Sequence, residues 1–198
     1  MYSVFGLAAD LGDSAVTGGL ALVGGLYLFY LKQKRAAVAL WAAFVCAGGL
    51  IALGKILIYS HCVSLPAFWL LRSPSGHAAI SAALYFTLAS IIASSERGWR
   101  QFVPYAVAFC VVVLVAVSRV VLRAHTEADV WGGLFIGIVV FTVLWLRLIR
   151  GHVVPCRRWP FVVMGLVLFV FFYRPHLPSE GFIRWFVNYL SAHFQICS

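Results

Sequence analysis

The sequence predicts an all-α integral membrane protein, with about six transmembrane helices in one bundle and an interfacial helix at the C-terminus. Two observations carry that expectation. The chain of 198 residues is 63% hydrophobic and only 11% charged, with a mean hydropathy of +0.98, far more apolar than a water-soluble core of this size requires. Its apolar residues also come in continuous runs rather than in the alternation of a membrane β-barrel, and helices and closed barrels are the two structures that satisfy backbone polar groups in lipid.

Five runs without a charged residue, 14–31, 36–54, 77–95, 101–118 and 130–146, are each long enough, or nearly so, to cross about 30 Å of hydrocarbon as a helix. A sixth, 159–173, has fifteen uncharged residues and crosses only if the bilayer thins or Arg158 and Arg174 snorkel to its surfaces. Residues 179–194 put Phe182, Ile183, Phe186, Val187, Leu190 and Phe194 on one helical face, which predicts a helix lying flat on the outer leaflet. No internal repeat, low-complexity segment or long linker divides the chain, so a single domain over 1–198 is expected.

Basic residues in short loops collect on the cytoplasmic side of a membrane. Lys32, Lys34 and Arg35 follow the first run, Arg97 and Arg100 the third, and Arg147, Arg150, Arg157 and Arg158 the fifth. These alternate loops share one side, which places the N-terminus, the 59–76 and 119–128 loops and the C-terminal tail outside. The expected location is the inner (plasma) membrane, multi-pass, with the chemistry on the periplasmic or extracellular face. The net charge of +9 is mostly the inward bias; no basic run marks a nucleic-acid partner.

The N-terminus has no basic region before its first apolar run and no small-residue cleavage site, which argues against a removed signal peptide. Trp41, Trp69, Trp99, Trp131, Trp159 and Trp185 fall near span ends, as an aromatic belt would. Of five cysteines, Cys62 and Cys197 fall on the predicted outer side, where a disulfide requires Cα atoms within about 7 Å. No Cys or His spacing resembles a zinc site, and neither a metal nor another cofactor is expected.

Ionisable residues beside spans are costly and therefore point to function. Here they gather in two outer clusters: Lys55 with Arg72, Ser73, Pro74, Ser75, Gly76 and His77, and Ser118, Arg119, Arg123, His125, Glu127 and Asp129. Phosphoryl transfer spreads negative charge over three equatorial oxygens and needs fixed positive donors. Lys55, Arg72 and Arg119 are the candidates, and Ser75 and Gly76 open a helix whose N–H groups favour an anion. Hydrolysis without a metal further needs a nucleophile, a proton donor and a group that orients the nucleophile. His125 and Asp129, four apart, share a helical face, so the carboxylate can take the imidazole Nδ1–H and leave Nε2 to attack; His77 remains as the acid. The plain alternatives are a snorkelling lysine at position 55 and a wet loop at Arg123 and Glu127. His61, His152, His176 and His193 have no partner pattern and read as interfacial side chains.

The string Pro74-Ser75-Gly76-His77, followed by Ser118-Arg119, five residues, His125, three residues and Asp129, resembles the second and third signature motifs of the type-2 phosphatidic acid phosphatase superfamily. The resemblance covers about residues 55–145. It implies a phosphorylated His125 partnered by Asp129, His77 as the acid, and Lys55, Ser75, Gly76 and Arg119 on phosphate. The family's first motif, Lys, six residues, Arg-Pro, is broken: Cys62 and Val63 stand where Arg-Pro is expected, and Arg72 is the nearest arginine.

The function expected is metal-independent hydrolysis of a membrane lipid phosphate or diphosphate through a phosphohistidine, with undecaprenyl diphosphate the first choice. Phosphatidate, phosphatidylglycerophosphate and lipid A phosphate are the other substrates, and a lipid phosphotransferase would use the same residues. A non-enzymatic lipid-phosphate binder or transporter is the competing class. A binder has no use for a His125–Asp129 pair beside His77, and a transporter would place its polar residues near mid-membrane.

Overall fold

Hydrocarbon offers backbone N–H and C=O groups no partner but each other, and among the described residues the long apolar runs are helical. The computed structural model describes residues 4–59, 73–156 and 158–171, with the single positions 181, 185, 186 and 189. Its helices are α1 (Val4–Leu11), α2 (Ser14–Tyr30), α3 (Lys34–Tyr59), α4 (Gly76–Ala93), α5 (Phe102–Val121), α6 (Glu127–Leu144) and α7 (Trp159–Phe171). A 3₁₀ turn, Gly98–Gln101, leads into α5, and a π turn, Trp145–Ile149, extends α6. No strand occurs among the described residues.

Four helices are long and apolar enough to cross a membrane: α3, α4, α5 with its 3₁₀ turn, and α6 with its π turn. α1 and α2, bent by 41° at the break between them, supply a fifth crossing if taken together. The chain is thus a multi-pass membrane protein. The described part of α7 has 13 residues, about 20 Å, and the residues directly after Phe171 lie outside the described set. The described helices therefore give four or five full crossings where about six were expected. Cys62, Cys197 and most of the expected interfacial helix lie outside the described residues.

In lipid, helices gain little by hiding apolar side chains from tails that are equally apolar, so small residues that let backbones touch decide the packing. α4 is the centre of the bundle: 67% of its apolar window is buried, against 39% for α3. It presents Ala78, Ala79, Ala82 and Ala83, each buried, to its neighbours. Opposite stand Gly133 and Gly137 of α6. A Cβ on Gly133 would lie 2.4 Å from the Ser75 carbonyl oxygen, and one on Gly137 would lie 2.4 Å from that of Ala79. The outward faces carry large apolar side chains, among them Phe109, Leu114, Phe135 and Ile138, as a surface bathed in lipid should.

The helices alternate in direction, so the start of α2, the end of α3, the start of α4, the end of α5 and the start of α6 share one end. Hydrogen bonds from Tyr59 Oη to Ser73 Oγ (3.1 Å) and from Ser73 N–H to Asp129 Oδ1 (2.7 Å) tie three of them together. At the opposite end Arg35 Nη1 meets the His152 ring, and Val154 N–H donates to Ser94 Oγ (3.0 Å). Trp99, Trp131 and Trp159 are exposed. Trp41 is not a free belt residue: it stacks with Phe29 at 6.3 Å and sits where a Cβ on Gly25 would go.

Gly137→Ala should lower the thermal unfolding midpoint in detergent, by an amount equivalent to about 1–3 kcal/mol, because the new methyl meets backbone that cannot move aside. Gly49→Ala, where a Cβ meets nothing within 4 Å, should cause no loss. Equal midpoints for the two variants would show that the α4–α6 contact is looser than described.

Candidate active site

The two clusters come together because the two helices that carry them start side by side. Ser75 is the N-cap of α4, fully buried, with its hydroxyl accepting from Ala78 N–H (3.5 Å). Its own N–H donates to the Asp129 carbonyl (2.9 Å). Ser75 thus shapes the helix start rather than presenting an open hydroxyl. The N–H groups of Gly76 and His77 belong to the first turn, which has no acceptor within the helix and suits an anion.

α6 begins with a capping box. Thr126 Oγ1 accepts from Asp129 N–H (3.2 Å), while Asp129 Oδ2 accepts from Thr126 N–H (3.1 Å). The other carboxylate oxygen, Oδ1, accepts from Ser73 N–H. One buried side chain therefore fastens its own helix start and the entry to α4. Its Oδ2 also lies 3.7 Å from His125 Nδ1, and the His125 side chain is only 5% exposed. The sequence spacing anticipated this pairing. The distance exceeds a hydrogen bond, as is common in unliganded sites.

α5 ends in a tight left-handed turn. Ala124 N–H and His125 N–H both donate to the Arg119 carbonyl (3.0 and 3.2 Å), and Arg123 N–H donates to that of Val120 (2.9 Å). Arg123 takes φ +54°, a conformation most side chains avoid. Arg119, in the last turn of α5, and His125 are thus held at a fixed separation by backbone bonds.

Lys55 is 5% exposed, so it does not snorkel to water. Ile51 and Tyr59, one turn away on either side of it along α3, approach α4: a Cβ on Gly76 would lie 3.5 Å from Ile51 Cγ2, and Tyr59 bonds Ser73. That spacing puts Lys55 on the α3 face toward the start of α4. Arg72 lies outside the described residues.

Sequence reasoning missed Asp13. It is buried, caps α2 by accepting Ala15 N–H on Oδ1 (2.8 Å), and holds Oδ2 3.9 Å from His77 Nε2. Three of the five acidic residues among the described residues, Asp10, Asp13 and Asp129, are buried. A pair of aspartates flanking a glycine at the head of an apolar run was a visible signal, since carboxylates beside spans are costly without partners.

Two imidazoles, each with a carboxylate nearby, a buried lysine, Arg119 and the first turn of a helix can neutralise a phosphate and move a proton to or from it. A sequence model described as the PAP2 superfamily matches residues 66–150. That segment contains His77, Arg119, His125 and Asp129; Lys55, Asp10 and Asp13 precede it. No curated protein and no solved structure significantly matches the chain.

Asp129→Asn will not be structurally silent. Both carboxylate oxygens accept backbone N–H groups, and an amide offers one acceptor, so one buried N–H loses its partner at a cost of about 1–3 kcal/mol. A fall in the unfolding midpoint that accompanies the loss of any activity is the expected result; an unchanged midpoint would count against the double role.

Proposed function

We propose, from the match of residues 66–150 to the PAP2 superfamily model, that the chain is a membrane lipid phosphatase that acts through a phosphohistidine on His125. The observation that carries this reading is the juxtaposition made by Asp129, whose carboxylate faces His125 Nδ1 while accepting the Ser73 N–H at the entry to the His77 helix. A phosphate-binding protein needs cations; it does not need a paired nucleophile and acid.

In the first half-reaction Nε2 of His125 attacks phosphorus. Lys55, Arg119, Arg72 and the amide groups at the start of α4 balance the charge on the equatorial oxygens. The bond to the leaving oxygen breaks with its electron pair, and His77 supplies that oxygen's proton. In the second half, water attacks phosphorus, gives a proton to His77 and releases His125 with the pair from the P–N bond. A lipid alcohol in place of water would make the same residues a phosphotransferase.

The proposed substrate is a prenyl carrier diphosphate such as undecaprenyl diphosphate, because the site lies at a helix-end rim where a headgroup meets water while a long tail stays in lipid. The proposed orientation, from the basic loops at the opposite end, is outward. Phosphatidate, phosphatidylglycerophosphate and lipid A phosphate are the comparison substrates.

Phosphate release from this lipid panel by purified protein in EDTA should proceed for the wild type and be undetectable for His125→Ala. Activity abolished by EDTA, or retained near normal by His125→Ala, would overturn the mechanism. For orientation, Arg123→Cys in a background with Cys62 and Cys197 replaced by serine should react with an impermeant maleimide on intact cells. Cys156 adds little background, since burial pushes its thiol up to about 11 and the thiolate is the reactive form. No labelling would place the site on the cytoplasmic face.

A further inference from the structure

Asp13 does more than a helix cap requires. An N-cap needs one acceptor, which serine, threonine or asparagine supplies without charge, and a buried carboxylate is costly unless it is paired. Here Oδ1 caps α2, through Ala15 N–H, and Oδ2 is turned to His77 Nε2 at 3.9 Å. The backbone on both sides is fixed. Tyr85 Oη donates to the Leu11 carbonyl at 2.7 Å, and Gly12 packs so closely that a Cβ there would lie 2.5 Å from Val115 Cγ1, 3.1 Å from Ser81 Oγ and 3.4 Å from His77 Cβ. The turn between α1 and α2 is therefore clamped against α4 and α5 with its carboxylate at the His77 ring.

We propose that Asp13 is a positioning residue for His77, holding the ring in place and favouring its charged form so that a proton is ready when the leaving oxygen departs. The inference rests on the phosphatase reading and extends it to a residue before the matched segment. As the phosphorus–oxygen bond breaks, its electron pair goes to the leaving oxygen, which takes the proton from the His77 imidazolium. The neutral imidazole then recovers a proton from the attacking water. Asp13 touches neither substrate nor phosphorus and acts through His77. Asp129 differs in kind, because its two oxygens already accept backbone N–H groups of Ser73 and Thr126.

The two roles of Asp13 are separable by substitution. Asp13→Asn and Asp13→Ser both keep an acceptor for Ala15 N–H and both remove the charge. A proton donor matters for a poor leaving group such as an alkoxide and little for nitrophenolate. The experiment compares kcat of wild type and both variants, as full-length protein in detergent, on dodecyl phosphate and on nitrophenyl phosphate, with unfolding midpoints measured alongside. The expected result is a loss of about tenfold or more on dodecyl phosphate, against less than about threefold on nitrophenyl phosphate, with midpoints within a few degrees of wild type. Equal losses on both substrates would show that Asp13 is only structural, and unchanged turnover on dodecyl phosphate would show that His77 does not depend on it; either overturns the inference alone. A wild type that releases phosphate from neither of these substrates nor from the lipid panel overturns the phosphatase reading and this inference with it.

Discussion

The backbone contact between α4 and α6 is the constraint on which the site depends. With no Cβ at Gly133 or Gly137, the α6 backbone closes on the Ser75 and Ala79 carbonyls. At that distance the Asp129 carbonyl reaches Ser75 N–H and its carboxylate reaches Ser73 N–H. Hydrophobic burial cannot drive this approach inside a bilayer; close contact and hydrogen bonds must. Side chains added at those two positions would push α6 off the Ser75 and Ala79 carbonyls, and the residues around His77 and His125 would no longer share a helix-end platform.

Acidic side chains around that platform are fixed largely by backbone. Asp129 accepts from its own helix start and from the entry to α4, and Asp13 caps α2. Each is thus immobilised before it meets an imidazole, which would limit the reorganisation needed in the proposed reaction as charge develops on phosphate. Lys55 and Arg119 come from the ends of α3 and α5, on the same face of the bundle. The basic turns that would set orientation lie at the other end, so the two charge populations do not compete for one surface.

Much of this was legible in the sequence. Continuous apolar runs marked the helices because lipid enforces helix wherever backbone would otherwise go unsatisfied, and the i,i+4 spacing of His125 and Asp129 fixed their common face. The helix start at Ser75 and Gly76 also followed from local chemistry, although Ser75 was expected on phosphate and not as the cap it forms. Helix α1 did not, since Asp10 and Asp13 interrupt the apolar residues before the first charge-free run, which begins at 14, where α2 begins. The partnership of Asp13 with His77 joins positions 64 residues apart, through a clamp at Tyr85 and Gly12 that no local pattern encodes. The four-residue spacing of Gly133 and Gly137 was a readable sign of close helix contact, though not of which helix would answer it. Trp41 shows the limit of position as a guide, because its indole packs against Gly25 rather than standing in an interfacial belt.

Trapping the covalent intermediate tests the central claim most directly. Protein mixed with phosphorus-labelled lipid phosphate and quenched within the first turnover should carry acid-labile, base-stable phosphate, and mass spectrometry of its peptides should map that phosphate to His125. Label that chases away with excess unlabelled substrate at the rate of turnover would establish it as an intermediate. Turnover without any phosphoenzyme, or phosphate mapped to another residue, would contradict the account.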